Sequence, residues 1–178
     1  MKATGIVRRI DELGRIVIPK EIRRTLKIRE GDPLEIFTTG EAEIIFKKYS
    51  PIGEMKTLAS QFAESMAQNT IHHIVITDRD QVVATAGGKK ELLNKSLTKA
   101  FENILENRII VKENTKRISI TDMDNERNSK VIQPILCEGD VIGSVVLIAK
   151  NEESRITETD EKMTVVAASF LGRQMEGI

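Results

Sequence analysis

Apolar and polar positions alternate from the start of the chain. Thr4-Gly-Ile-Val-Arg-Arg-Ile10 and Arg15-Ile-Val-Ile18 read as two strands joined across Asp11-Glu-Leu-Gly14, where Gly14 can adopt the positive φ of a tight turn. Pro19 ends the second strand and pre-sets φ for a helical turn. Residues Lys20 to Leu26 therefore read as a short helix with Ile22 and Leu26 on one face. After the Gly31-Asp32-Pro33 turn, Leu34 to Phe37 and Glu43 to Lys47 form a second hairpin. Two hairpins and one short helix bury too little surface to be stable alone without a disulfide or a metal. The module is therefore expected to be an obligate dimer. Its apolar set, Ile6, Ile10, Ile16, Ile18, Leu26, Leu34, Ile36 and Ile44, would form one core shared between two chains by interleaved hairpins.

Ser50-Pro51-Ile52-Gly53 interrupts the pattern and marks a boundary, with residues 1–50 as the first domain, 51–56 as a linker and 57–178 as the second domain. From Glu54 to Asn69, Met55, Leu58, Phe62 and Met66 recur at helical spacing. Strands are expected at His73 to Thr77 and Val82 to Ala86, then a helix from Lys89 to Asn107. Further strands are expected at Ile109 to Val111, Ile118 to Ile120, Val131 to Leu136 and Val141 to Ile148, the last two joined by a tight turn at Glu138-Gly139-Asp140. A helix from Thr157 to Met175 closes the chain. This order predicts an α+β domain with one antiparallel or mixed sheet and flanking helices.

Charge changes the picture more than composition does. The 178 residues carry equal numbers of basic and acidic side chains, but residues 1–29 hold nine basic against three acidic, a net of +6, whereas residues 51–178 carry −3. A small basic module joined to a mildly acidic remainder is the layout of a nucleic-acid reader with a separate second domain. Arg8, Arg9, Arg15, Lys20, Arg23 and Arg24 lie on a hairpin and a short helix, and a two-fold axis doubles them. Spread in this way they suit the phosphates and guanine edges of a duplex better than one small anion. The competing reading is local pairing with Asp11, Glu12 and Glu21 as surface salt bridges.

At these residues the sequence resembles a known family. Thr4-Gly5-Ile6-Val7-Arg8, Asp11 to Pro19, Glu21 to Leu26 and Gly31 to Ile36 closely resemble the AbrB-like swapped-hairpin transcription factors, in the branch that carries a C-terminal GAF-type domain. The resemblance implies a dimeric DNA-binding barrel of swapped hairpins with one short helix, whose DNA-contacting arginines fall on Arg8, Arg15, Arg23 and Arg24. Arg9 and Lys20 join them on charge and position. It also implies a sequence-preferring regulator, activating or repressing sporulation genes late in spore formation, and tetramers assembled through the C-terminal helices. The partners expected are double-stranded DNA, further copies of the chain and a small-molecule effector of the GAF-like domain, with no membrane.

The remaining chemistry is sparse. No apolar run approaches the ~20 residues of a membrane span, and the N-terminus lacks an apolar signal core, so a cytoplasmic location is expected. The single Cys137, with only His72 and His73 as other soft ligands, supports neither an internal disulfide nor a zinc site, and no cofactor is identified. Cys137 reads as a small buried residue, and one of His72 and His73 as packed with the other outward. Gly87-Gly88-Lys89-Lys90 reads as a strand-to-helix turn that could also receive an anion. Asp122, Asp124, Glu126 and Arg127 read as a solvated loop. The apolar stripes of the Glu54 and Thr157 helices serve the domain core or, in the favoured reading, a bundle shared between subunits. Two rivals remain. An antitoxin would inhibit a toxin through a flexible tail, where this chain has regular apolar periodicity instead. An enzyme would need a catalytic constellation, and none is evident.

Overall fold

A computed structural model describes residues 4–54, 56–112, 118–124 and 128–176. The expectations placed on Met55, Glu126 and Arg127 lie outside these residues. By its contacts the chain divides into two compact units, Met1–Tyr49 and Ser50–Ile178.

In the first unit, helix α1 (Lys20–Thr25) precedes strands β1 (Leu34–Thr38) and β2 (Ile44–Lys48). These strands pair antiparallel from Leu34 against Lys48 to Thr38 against Ile44. The two segments read as a first hairpin, Thr4 to Ile10 and Arg15 to Ile18, carry no strand pairing within the chain. The reason lies in burial. Val7 is 83% exposed, Val17 73%, Ile36 61% and Leu26 57%, and α1 has no buried residue. Apolar positions that find no cover inside one chain need a second one, which is the arrangement of a swapped hairpin.

The second unit has a hydrophobic interior of its own. Helices α2 (Pro51–Glu54) and α3 (Lys56–Ala67) lead into strands β3 (His73–Thr77) and β4 (Val82–Ala86). Helix α4 (Lys99–Glu106), strands β5 (Lys130–Cys137) and β6 (Asp140–Ile148), and helix α5 (Glu158–Met175) follow. The four strands form one antiparallel sheet in the order β4-β3-β6-β5. Both faces are covered. Ile74, Ile76, Val145 and Leu147 point into a cluster with Ala63 of α3 and Leu171 of α5. Their neighbours Val75, Val146 and Ile148 point the other way, against Phe101 and Leu105 of α4. Alternate residues of one strand thus feed two apolar layers, which is why β3 and β6 read as nearly continuous apolar runs. No helix among the described residues is long and apolar enough to cross a membrane.

Local chemistry sets the ends of these elements. Thr157 and Asp160 form a reciprocal capping box at the start of α5, and the Thr98 hydroxyl accepts the Phe101 amide at the start of α4. The β5–β6 turn takes φ values of 49° at Glu138 and 89° at Gly139. Within the segment expected as a linker, Pro51–Glu54 is helical. Ser50 caps α2 by accepting the Gly53 amide at 3.0 Å, Pro51 opens the helix, and Ile52 is fully buried in the α3/α5 layer.

The helix expected over Lys89 to Asn107 is shorter than its apolar periodicity suggests. Only a single 3-10 turn, Lys90–Leu92, precedes α4, because Asn94 adopts φ 60° and turns the chain before Thr98 caps the helix. The strand expected at Ile109 to Val111 reduces to an isolated bridge of Val111 with Ile132, and Ile118 to Ile120 forms no strand, the nearest bridge being Leu97 with Thr121. Asp124 also departs from the solvated-loop reading. It is buried, accepts the Ile120 amide at 2.9 Å and pairs with Lys130 at 3.3 Å. Cys137 is half-buried, not buried. Loss of solvation, and then the charges of Glu138, Glu176 and Asp140, push its thiol pKa up.

Candidate nucleic-acid interface

All six basic side chains singled out in the sequence, Arg8, Arg9, Arg15, Lys20, Arg23 and Arg24, are exposed on the first unit. Two local devices present most of them, one at the turn and one at the helix.

At the turn, Asp11 is the organiser. Its backbone amide donates to the Arg15 carbonyl at 3.1 Å, and its carbonyl accepts the Gly14 amide at 3.0 Å. Its carboxylate accepts the Leu13 amide at 3.0 Å, the Arg15 amide at 2.8 Å and the Arg15 Nε–H at 2.8 Å. The Arg15 amide and then the guanidinium hold the Asp11 carboxyl below its usual pKa, so the frame is charged at neutral pH. Gly14 at φ 75° allows the tight return. The sequence offered Asp11 as a turn residue and as a competitor for arginine. In the structure it fixes the loop and steers one edge of Arg15, while that side chain stays 71% exposed. Arg8 and Arg9 flank the same turn on its N-terminal arm, where an Arg8 Nη1–H donates to the Val7 carbonyl at 3.2 Å.

At the helix, Pro19 begins α1 by accepting the Arg23 amide at 3.0 Å. Arg23 and Arg24 occupy the last turn, where cations also meet the negative end of the helix dipole. The helix closes by a double hydrogen bond: the Ile28 amide donates to the Arg23 carbonyl at 2.8 Å, and the Lys27 amide to the Arg24 carbonyl at 3.4 Å. This is a Schellman closure, and the residue at its left-handed position is usually glycine. Here it is Lys27, at φ 52°, a conformation that costs a side-chain-bearing residue about 1 kcal/mol. The two carbonyls that complete the closure belong to the two arginines of the helix.

The second unit presents different chemistry. His72 is buried, as expected for one of the pair, whereas His73, expected outward, is half-buried. His72 Nδ1 accepts the Lys150 amide at 3.3 Å, and its Nε2 lies 3.2 Å from the Arg155 carbonyl and 3.6 Å from Asp160. His73 meets the Gly87 carbonyl at 2.6 Å, and Gly87, Gly88 and Lys89 all have positive φ, so the glycine pair serves the turn out of β4. Among the described residues no group of three His, Cys, Asp or Glu side chains is placed to hold a metal. On the outer side of α3 and α5, Phe62 and Phe170 stack with centroids 5.0 Å apart. Earlier on α5, Val165 and Val166 are 47% and 64% exposed, with Val165 against Gln133 of β5.

Comparison with known proteins accounts for both units. The family model for the stage V sporulation protein T C-terminal, transcription factor, matches residues 54–176. The model for antidote-toxin recognition MazE, bacterial antitoxin, matches residues 7–54. The chain is 48% identical over 179 residues to stage V sporulation protein T of Bacillus subtilis (strain 168), covering 99% of each. Over 51 residues it is 65% identical to the transition state regulatory protein AbrB of the same organism, spanning 29% of this chain and 52% of that protein. The GAF domain from the Acinetobacter phosphoenolpyruvate-protein phosphotransferase shares the fold of the second unit. It has 16% identity and a TM-score of 0.56, over 72% of this chain and 84% of that one.

Proposed function

The chain belongs to the family of stage V sporulation protein T transcription factors, and from that premise we propose that Arg8, Arg9, Arg15, Lys20, Arg23 and Arg24 form its duplex-binding surface. The protein is a regulator of sporulation genes with an AbrB-like DNA-binding domain followed by a GAF-like domain. One observation carries the assignment of the surface. The exposed cations lie on a unit whose apolar positions are also exposed in a single chain, so the pairing that covers those positions brings two cationic sets together. In this reading residues 1–50 dimerise by interleaving, and affinity rests mainly on phosphate contacts, with sequence preference added by arginine at base edges.

Exposed Val166 and Phe170 on α5, the latter stacked on Phe62 of α3, support pairing of dimers into tetramers through α3 and α5. A small effector in the GAF-like domain would then act by binding two arrangements of the DNA-binding units with unequal affinity. The working place of the protein is the cytoplasm. The antitoxin reading draws on the match over residues 7–54, but the rest of this chain is a folded domain with two apolar layers, unlike an inhibitory tail.

Selection of bound duplexes from a random pool tests the proposal. The full chain should enrich a short motif, and the Arg23→Ala/Arg24→Ala variant should enrich it far less. Retention of no duplex by the parent protein would overturn the reading.

A further inference from the structure

Lys48 stands at the end of β2 and, on sequence, counts as one more cation of a basic module. Its surroundings assign it other work. The Nζ donates to the Lys27 carbonyl at 2.9 Å and lies 3.0 Å from Asp32 Oδ2. The same Asp32 oxygen accepts the Arg29 amide at 2.8 Å, and the Asp32 side chain has no solvent exposure. Lys27 is the residue held at positive φ where α1 closes, and the Arg23 and Arg24 carbonyls complete that closure. The ammonium therefore binds the carbonyl of the strained residue itself. Asp32 ties Arg29, two residues on, into the same knot. A non-glycine residue keeps such a conformation only when its surroundings over-determine it.

We propose that the Lys48–Asp32 bridge is a positioning device for DNA recognition: it locks the last turn of α1, with Arg23 and Arg24, against the β1–β2 hairpin. Neither residue is a phosphate contact. This rests on the assignment of α1 to the duplex surface made above, and deepens it by separating cations that meet DNA from one that aims them.

The sign of the Asp32→Asn effect distinguishes this role from a simple electrostatic one. Removing an acidic charge from a basic module should, through the long-range field alone, strengthen duplex binding. Loss of the lock instead lowers affinity for the selected motif by about tenfold, the cost of one misplaced arginine-base contact, while binding to random duplex holds or rises. The ratio of the two affinities therefore falls. Lys48→Met should lower that ratio in the same way and leave the salt slope on random duplex unchanged. A phosphate contact would instead remove about 0.9 from that slope for each phosphate released.

Trace acetylation of the unaltered full chain, read by mass spectrometry, needs no variant and remains decisive if either substitution disturbs folding. Lys48 should react at least about tenfold more slowly than Lys20 in the free protein and at the same rate on duplex, because its protection comes from the protein itself. Lys20 should become protected on duplex. Free reactivity of Lys48 that duplex suppresses, or tighter motif binding by folded Asp32→Asn with its affinity ratio intact, would overturn the proposal. If the parent protein binds no duplex, the functional reading fails, whereas the slow reaction of Lys48 in the free protein still reports on the lock.

Discussion

Gly172 sits in α5 where the helix crosses β5, and a Cβ there would stand 2.1 Å from the Leu136 carbonyl oxygen and 3.2 Å from its carbon. Ordinary contact begins near 3.4 Å, so Gly172→Ala drives helix and strand apart by more than 1 Å. Backbone stands on both sides and cannot rotate away as a side chain would. Two effects oppose the clash: alanine is worth up to about 1 kcal/mol over glycine within a helix, and it restricts the unfolded chain. Against them stands overpacking, about 1–3 kcal/mol in well-packed interiors and more where neighbours are rigid. Separation also loosens Ala168, Leu171 and Met175, all buried on the same helix.

The expected net effect is a loss of about 2 kcal/mol from the second unit, or roughly a 1 M drop in urea midpoint at a slope near 2 kcal/mol per M. Urea unfolding of the full chain, followed by far-ultraviolet circular dichroism, measures it. Single-site duplex affinity should be unchanged, because the affected packing all lies within residues 50–178. An equal or higher midpoint at unchanged slope would show that helix propensity outweighs the close approach, and would refute this ordering of the two effects.

Three further outcomes are expected. Burial alone would raise the Asp160 pKa, but hydrogen bonds from Thr157 and Thr70, with His72 nearby, outweigh it and hold the group below its ordinary 3.8. Its stabilisation is therefore complete above the unfolded value and lost as pH falls through the lower folded one. Asp160→Asn should be less stable than the parent at pH 7, and the gap in urea midpoint should narrow below about pH 4; a gap independent of pH would refute this. If dimers pair through α5 as proposed, Val166→Glu should lower the mass from tetramer to dimer in sedimentation velocity with stability changed by less than about 0.5 kcal/mol, and an unchanged mass would exclude that face of α5 as a seam. Asp11→Ala should weaken motif binding despite the gain in net positive charge, because it releases the frame around Arg15; stronger binding would show that Asp11 acts only as a competing anion.

What the sequence discloses depends on the range over which each signal acts. Strands β5 and β6 and helix α5 are legible because their signals are local: apolar runs, a turn at Glu138 and Gly139, and a Thr157 cap followed by Asp160. The basic set is legible because charge is written in composition. The Lys89 to Asn107 region misleads because Leu92, Leu97 and Phe101 are buried and keep an apolar rhythm, while a left-handed Asn94 breaks the helix between them. Asp124 looks solvated in a polar stretch, and only Lys130 and the Ile120 amide explain its burial. The Lys48–Asp32 bridge is hidden for the same reason, since its meaning depends on the Lys27 carbonyl 21 residues away. The first hairpin closes at its Asp11–Arg15 turn but forms no ladder beyond it within one chain, so its strands are readable only as pattern.

The proposed function depends most on two copies of the first unit presenting one cationic surface to a duplex, and the salt dependence of binding tests it directly. Fluorescence anisotropy on the selected motif, from low to moderate salt, should give a steep fall in log affinity for the parent chain. For the Arg8→Ala/Arg15→Ala/Arg23→Ala/Arg24→Ala variant the slope should be shallower by about 0.9 for every phosphate that is no longer neutralised. An unchanged affinity and slope, in a variant that sediments like the parent, would contradict it.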